Sequence, residues 1–155
     1  MSHRGKPVIL VVDDQTTVVR IMANMLQPEY AVRIATNGEM ALEIAATQVP
    51  DFILLDMIMP GMSGIEVCHA LKKTTVTEQI PVIFVTSMDD KHNEQAGLAA
   101  RAVDYINKPA SPVIVKSRVD IHLSRSRQER FIRHLANGSI RDSELIQRTA
   151  QSLLD

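Results

Sequence analysis

Short, continuous aliphatic runs constrain the fold of this chain more than any other sequence feature. The clearest are VILVV at residues 8–12, FILL at residues 52–55 and VIFV at residues 82–85. Strands of parallel sheets have this uninterrupted apolar pattern, because helices cover them on both faces. A more exposed run at residues 30–35 and a short one at residues 103–106 bring the number of candidate strands to five.

Segments with helix-like spacing of apolar residues separate these candidate strands. They are centred on residues 18–26, 40–45, 65–71 and 91–100. The lengths of the crossovers suit right-handed β-α-β units. We therefore predict an α/β fold with a five-stranded, doubly wound parallel sheet.

The pattern changes after about residue 111. No glycine or proline interrupts residues 113–136, which predicts one long C-terminal helix. Asn137-Gly138 can cap this helix. A helix that continues through Gly138 into a coiled coil is the alternative, because apolar residues recur at seven-residue spacing beyond it.

Composition and charge exclude several classes of protein. The chain has 45% hydrophobic and 23% charged residues, which argues against disorder. No apolar run approaches the roughly 20 residues of a membrane-spanning helix, and the N-terminus does not resemble a signal peptide. The single cysteine, Cys68, excludes an intramolecular disulfide and suits a reducing cytoplasm. Residues 113–155 are basic, but acidic residues interrupt them, so we expect no direct nucleic-acid binding.

Polar side chains follow four of the candidate strands. Asp13 and Asp14 follow the first candidate strand, and Asp56 follows the third. Thr86 follows the fourth candidate strand, and Lys108 follows the fifth. Because parallel strands end at one edge of a sheet, we expect these side chains to converge. Crowded carboxylates must be protonated, pair with a cation or hold a metal ion, and oxygen ligands favour Mg²⁺ or Mn²⁺. The set suits phosphoryl transfer onto an aspartate.

The same positions carry the motifs of a known family. The chain contains in order DD at residues 13–14, LLDMIMPGMSG at 54–64, VTS at 85–87 and DYINKP at 104–109. In these motifs it resembles the receiver domains of bacterial two-component response regulators, over roughly residues 7–125. The resemblance implies a flavodoxin-like receiver fold. We expect an N-terminal extension at residues 1–6 and a helical linker or dimerisation segment at residues 126–155.

The resemblance also implies a role for the acidic residues. Asp56 is the expected phosphoacceptor, and a sensor histidine kinase or a histidine phosphotransfer protein is the expected phosphoryl donor. Asp13, Asp14, Asp56 and the backbone carbonyl of Ile58 are the expected ligands of Mg²⁺, for which Mn²⁺ could substitute.

Further roles concern the switch that the resemblance implies. Lys108 is expected to bind the acyl phosphate, with a cis bond to Pro109. Thr86 is expected to move towards a phosphoryl oxygen while Tyr105 turns inward, which alters the surface of the fourth predicted helix, the fifth strand and the following helix. Arg101 stands where relatives often have glycine. Whether it alters that surface or forms a local salt bridge stays open.

Several functional alternatives stay open beside the phosphorylated switch. One is a receiver-like scaffold that works without phosphate. Another is a phosphohydrolase of the haloacid dehalogenase type, but that class needs an aspartate where this chain has Ile58. We expect no enzyme activity beyond self-phosphorylation and slow autodephosphorylation.

We expect a cytoplasmic protein without membrane contact. It would act on a partner, or on an output domain outside this chain such as a cyclic-di-GMP enzyme or a kinase. A homodimer through the C-terminal helices is also expected.

Overall fold

The computed structural model describes residues 5–87, 95–96 and 100–136. These residues fall into two units, one up to Ser117 and one from Arg118 onward. The strands are β1 (Val8–Val12), β2 (Ala31–Ala35), β3 (Phe52–Leu55), β4 (Val82–Ser87) and β5 (Asp104–Lys108). The helices are α1 (Thr16–Leu26), α2 (Gly38–Gln48), α3 (Gly64–Lys72) and α4 (Pro112–Ala136).

All five described strands form one parallel sheet with the order β2-β1-β3-β4-β5. The prediction of an α/β fold with a five-stranded parallel sheet is confirmed. The register pairs Val12 with Leu55 and Ser87 with Lys108. The residues that follow β1 and β3 therefore leave the sheet side by side.

Helices bury both faces of the central strands, which explains their unbroken aliphatic sequences. Leu10 and Val12 belong to a core cluster that also contains side chains from α2 and α3. Ile9 and Val11 alternate with them along β1, so they point to the opposite face. All four are at most 1% exposed.

The long helix predicted after residue 113 is present as α4. The predicted helix at residues 91–100 and the segment from residue 137 onward lie largely or wholly outside the described residues, as does most of the N-terminal extension. No helix in the described part of the chain is both long and apolar enough to cross a membrane.

Candidate functional site

Three carboxylates meet at the carboxyl edge of the sheet. Asp13 and Asp14 follow β1, and Asp56 follows the neighbouring strand β3. One oxygen from each carboxylate lies within 4.8 Å of the oxygens offered by the other two. Asp13 and Asp56 are buried, whereas Asp14 is accessible to solvent. The structure therefore brings the predicted acidic residues together.

The ammonium group of Lys108 lies beside two of these carboxylates. Its Nζ is 2.5 Å from Asp13 Oδ2 and 3.7 Å from Asp56 Oδ2. The bond from Lys108 to Pro109 is cis, as expected. The other oxygen of Asp13, Oδ1, accepts a hydrogen bond of 2.9 Å from the backbone N–H of Gln15. Both oxygens of Asp13 are thus engaged, which fixes the orientation of its carboxylate.

The surroundings of Asp56 disfavour its charged form. Burial raises the pKa of this carboxyl, and the negative charge of Asp13 raises it further. Three groups act in the opposite direction and lower the pKa: the Lys108 ammonium, the backbone N–H of Ile58 at 3.4 Å and the hydroxyl of Thr86. The raising effects are larger, so the pKa of Asp56 lies above its usual range.

Thr86 and Tyr105 share one face of the sheet. The register pairs Thr86 with Asn107 and Phe84 with Tyr105, and side chains alternate along each strand. Thr86 is buried, and its Oγ1 has no hydrogen-bond partner by distance and angle among the described residues. The effect of Thr86 on the pKa of Asp56 nevertheless shows that the hydroxyl lies close to that carboxylate. Tyr105 is partly buried against the core.

The acidic residues fit a hard divalent cation. Their donors are all carboxylate oxygens, which Mg²⁺ and Mn²⁺ prefer. Two carboxylates are buried and Asp14 is open to solvent, which suits an ion that keeps several waters. Ile58 lies two residues after Asp56, with its side chain 60% exposed. The role of its backbone carbonyl stays a prediction.

Gly64 holds the backbone beside Asp56 in place, a role that no sequence pattern indicated. A Cβ atom at this position would lie 2.1 Å from the carbonyl oxygen of Asp56 and 2.8 Å from Cα of Met57. The N–H of Gly64 donates to the Met57 carbonyl at 2.8 Å. Ser63 and Glu66 form a capping box that starts α3 at this point. The sequence motif includes this glycine, but it does not indicate how closely Gly64 approaches the backbone of Asp56.

Arg101 adopts a left-handed backbone conformation, with φ of 70°. Glycine populates this region most readily, which accounts for the glycine at this place in the resembling family. The guanidinium of Arg101 donates a hydrogen bond of 3.0 Å to the carbonyl of Lys72 at the end of α3. The described contact of Arg101 is therefore a hydrogen bond to the backbone at the end of α3.

Comparisons with known proteins agree with this geometry. The sequence profile of the family described as response regulator receiver domain matches residues 9–120. A probable cyclic di-GMP phosphodiesterase of Vibrio cholerae is 38% identical over 151 residues, which are 97% of this chain and 34% of that protein. The response regulator PleD of Caulobacter vibrioides is 43% identical over 112 residues, which are 72% of this chain and 25% of that protein.

Solved structures give the same result. A CheY-like response regulator receiver domain protein from Methanospirillum hungatei superimposes with a TM-score of 0.76 at 27% identity. The similarity covers 80% of this chain and 98% of that one. The chain spans only about a quarter to a third of the length of the two curated relatives named above. The profile match covers well over half of this chain, and the chain belongs to the response regulator receiver domain family.

Proposed function

We propose that Asp56 accepts a phosphoryl group and that this modification switches a surface of the domain. One observation carries the proposal: the Lys108 ammonium lies within 3.7 Å of the Asp56 carboxylate, at an edge where three carboxylates meet. An ammonium group beside a nucleophilic carboxylate can bind the oxygens of an incoming phosphoryl group. The buried hydroxyl of Thr86, which acts on the pKa of Asp56, supplies a second donor nearby.

The reaction is a displacement at phosphorus. An oxygen of Asp56 forms a bond to the phosphorus of a phosphohistidine on a sensor histidine kinase or a histidine phosphotransfer protein. The phosphorus–nitrogen bond breaks, and its electron pair stays on the imidazole. The charge of Lys108 favours the ionised Asp56 that this attack requires, against the effect of burial.

Asp13, Asp14, Asp56 and the carbonyl of Ile58 would hold Mg²⁺, and Mn²⁺ could replace it. When bound, the ion supplies positive charge to the phosphoryl oxygens. We expect excess EDTA to abolish phosphorylation from acetyl phosphate, and added Mg²⁺ or Mn²⁺ to restore it. Phosphorylation that is unchanged in EDTA would contradict the need for a divalent ion.

Thr86 and Tyr105 would carry the signal away from Asp56. The Thr86 hydroxyl, which has no well-formed hydrogen bond among the described residues, would move towards a phosphoryl oxygen and donate to it. The space it leaves lies on the face of the sheet that also carries Tyr105. Inward rotation of this tyrosine would change the surface formed by β5 and its neighbouring helices. Such a switch needs only a modest free-energy difference between two states.

The output is expected to lie in a further domain or a partner protein. The Vibrio cholerae relative matches 97% of this chain, so its similarity extends into the segment after the receiver domain. This supports a cyclic-di-GMP enzyme as the class of output, with the segment at residues 126–155 as a linker or dimerisation element. The proposed site of action is the cytoplasm, where histidine kinases present their phosphohistidine.

The direct experiment is incubation with acetyl phosphate and Mg²⁺ followed by intact-mass measurement. We expect one added phosphate on the wild-type chain and none on Asp56→Ala. Asp120→Ala, which removes an exposed aspartate outside the site, serves as the matched control and should gain one phosphate. Absence of any addition to the wild type would favour the phosphate-independent scaffold instead.

A further inference from the structure

Arg101 is held in a strained backbone conformation at the turn that precedes β5. Its φ of 70° lies in the left-handed region, which a residue with a side chain enters at a cost that glycine avoids. A strained residue persists only where its surroundings hold it in place, and such residues cluster at sites that switch or bind. The contacts of Arg101 therefore indicate what its side chain contributes to the turn.

Two side-chain hydrogen bonds join the turn at residues 100–103 to the C-terminal part of α3. The guanidinium of Arg101 donates to the carbonyl of Lys72 at 3.0 Å. The thiol of Cys68, which is fully buried, donates to the carbonyl of Ala100 at 3.3 Å. Because Lys72 is the last residue of α3, its carbonyl is one that the helix itself leaves without a partner. Arg101 thus binds the turn to the end of a helix.

The turn leads directly into β5. The N–H of Val103 donates to the first carbonyl of β4 at 2.8 Å, and β5 begins at the next residue. Ala102 in the turn and Tyr105 in β5 pack against the same core cluster. A displacement of the turn would therefore reach Tyr105 both through the backbone and through shared packing.

We propose that Arg101 is a positioning residue that restrains the switch, because it holds the turn against α3 and so opposes the inward rotation of Tyr105. A ring of this size enters a close-packed core only if the neighbouring backbone shifts. The bond from Arg101 to Lys72 resists this shift, since other side-chain bonds also fix the end of α3. The inference rests on the proposed switch and adds the residue that sets its equilibrium.

The test follows Tyr105 by fluorine NMR of the full chain labelled with fluorotyrosine. The chain has two tyrosines, and Tyr105→Phe assigns their signals. The difference in chemical shift between light and heavy water reports how exposed each ring is. In the unphosphorylated protein, we expect Arg101→Ala to raise the ratio of inward to outward Tyr105 about threefold, as expected for one hydrogen bond that is open to solvent. The isotope shift of Tyr105 should fall, and that of Tyr30 should stay the same.

Two further variants separate the restraint from strain and from charge. Arg101→Gly removes the bond and the strain together, so it should resist urea better than Arg101→Ala and still release Tyr105 to a similar extent. If Arg101 only shaped the turn, Tyr105 would be released in the alanine variant alone. Lys73→Ala removes an exposed cation next to the acceptor of the bond and should behave like the wild type.

An isotope shift of Tyr105 that is unchanged in both Arg101→Ala and Arg101→Gly would overturn the proposal. An equal change in Lys73→Ala would overturn it too, because the effect would then come from charge. These measurements need no phosphoryl donor. In the wild type, acetyl phosphate should lower the same isotope shift. A Tyr105 signal that phosphorylation leaves unchanged would refute the proposed switch, and an unmodified Asp56 would refute the proposed function, and both results are distinct from a failure of the restraint.

Discussion

The ammonium of Lys108 is shared between two carboxylates that come from neighbouring strands. Among the described groups at this edge, Asp13, Asp14 and Asp56 are acidic and Lys108 is basic, which leaves two negative charges in the fully ionised state. Carboxylates this close raise each other's pKa unless positive charge compensates them. A single divalent cation would neutralise the excess.

Gly64→Ala tests how strictly the backbone at Asp56 is positioned. A Cβ atom would lie 2.1 Å from the Asp56 carbonyl oxygen, so the loop between β3 and α3 must shift. We expect a loss of about 1–3 kcal/mol in the free energy of unfolding, as in other overpacked sites. Phosphorylation from acetyl phosphate should be slowed about tenfold or more, because a displacement of about 1 Å at a reacting group has large kinetic effects.

Gly38→Ala is the comparison for this substitution. Its added Cβ would lie 2.8 to 2.9 Å from Cβ, Cγ and Sδ of Met62. A change of rotamer moves the sulfur of Met62 but not its Cβ, so we expect a loss of about 1–3 kcal/mol here as well. Because the atoms nearest to this Cβ belong to Met62 and not to Asp56, we expect a phosphorylation rate closer to that of the wild type than in Gly64→Ala. Wild-type rates in Gly64→Ala would refute the positioning role of that glycine.

The thiol of Cys68 predicts a pH dependence of stability. Burial raises the pKa of this thiol above its ordinary value of about 8.5. Above that value the unfolded chain loses the proton while the folded protein retains it, so the free energy of unfolding falls as pH rises. We expect this decline between about pH 8 and pH 10 to be smaller in Cys68→Ala. Urea unfolding across this range measures the two slopes, and parallel curves would disprove the assignment.

The residue types that form the site were predictable, because the ends of the strands can be recognised in the sequence. Asp13, Asp14 and Asp56 follow aliphatic runs, Lys108 ends β5, and parallel strands bring such positions together. The steric role of Gly64 was not predictable, because it depends on a distance between two backbone segments.

The glycine that relatives often have in place of Arg101 was the one sequence signal for its conformation. A left-handed φ at a non-glycine residue depends on the turn that surrounds it. The hydrogen bond from Arg101 to Lys72 joins residues 29 positions apart, and no local pattern encodes such a contact.

At the scale of elements, side-chain hydrogen bonds to backbone carbonyls stabilise the loop between α3 and β4. Thr77, which is buried, donates a hydrogen bond of 2.7 Å to the carbonyl of Leu71 near the end of α3. The Lys72 ammonium donates to the carbonyls of Glu78 and Ile80 at 3.2 and 2.8 Å. Burial lowers the pKa of Lys72. The carbonyl of Leu71 also accepts a bond of 3.4 Å from the N–H of Thr74, and the shorter bond from Thr77 helps to satisfy it at the end of the helix.

Thr77→Val should destabilise the protein by about 1–3 kcal/mol, because the Leu71 carbonyl loses a buried partner. Thr74→Val is the matched control. Thr74 is exposed, and its hydroxyl donates a longer bond of 3.3 Å to the Ala70 carbonyl. We expect a change within about 0.5 kcal/mol for this variant. Chemical denaturation measures the free energy of unfolding of both variants. Equal losses would show that the buried Thr77 bond contributes no more to stability than the exposed Thr74 bond.

The helices and strands were largely predictable from the sequence. The residues at which they begin and end were less predictable. The second strand was expected from residue 30, but β2 begins at Ala31. The N–H of Tyr30 donates to the carbonyl of Leu26 and so continues the hydrogen bonding of α1. The start of α1 depends on tertiary contacts too. Gln15 occupies its N-cap without a side-chain bond, and the nearby Asp13 pairs with Lys108.

At the scale of the whole molecule, α4 carries an exposed apolar stripe. Ile121, Ile132 and Leu135 are 53%, 62% and 37% exposed. They are separated by eleven and three residues, which places them on one side of a helix. We predict a dimer through this stripe, with a dissociation constant that rises at least about tenfold in the double variant Ile132→Glu, Leu135→Glu.

Sedimentation velocity at several concentrations checks this prediction. Val113→Glu is the control, because Val113 is 77% exposed and belongs to the first turn of α4. It should sediment like the wild type. Identical sedimentation of the wild type and the double variant would rule out association through the stripe.

Reductive trapping of the phosphorylated protein tests the central claim most directly. Borohydride reduces an aspartyl phosphate to homoserine, and peptide mapping then identifies the modified position. After treatment with acetyl phosphate and Mg²⁺, we predict homoserine at position 56 alone. Homoserine at position 13 or 14, or none at all, would contradict the account of Asp56 as the phosphoacceptor.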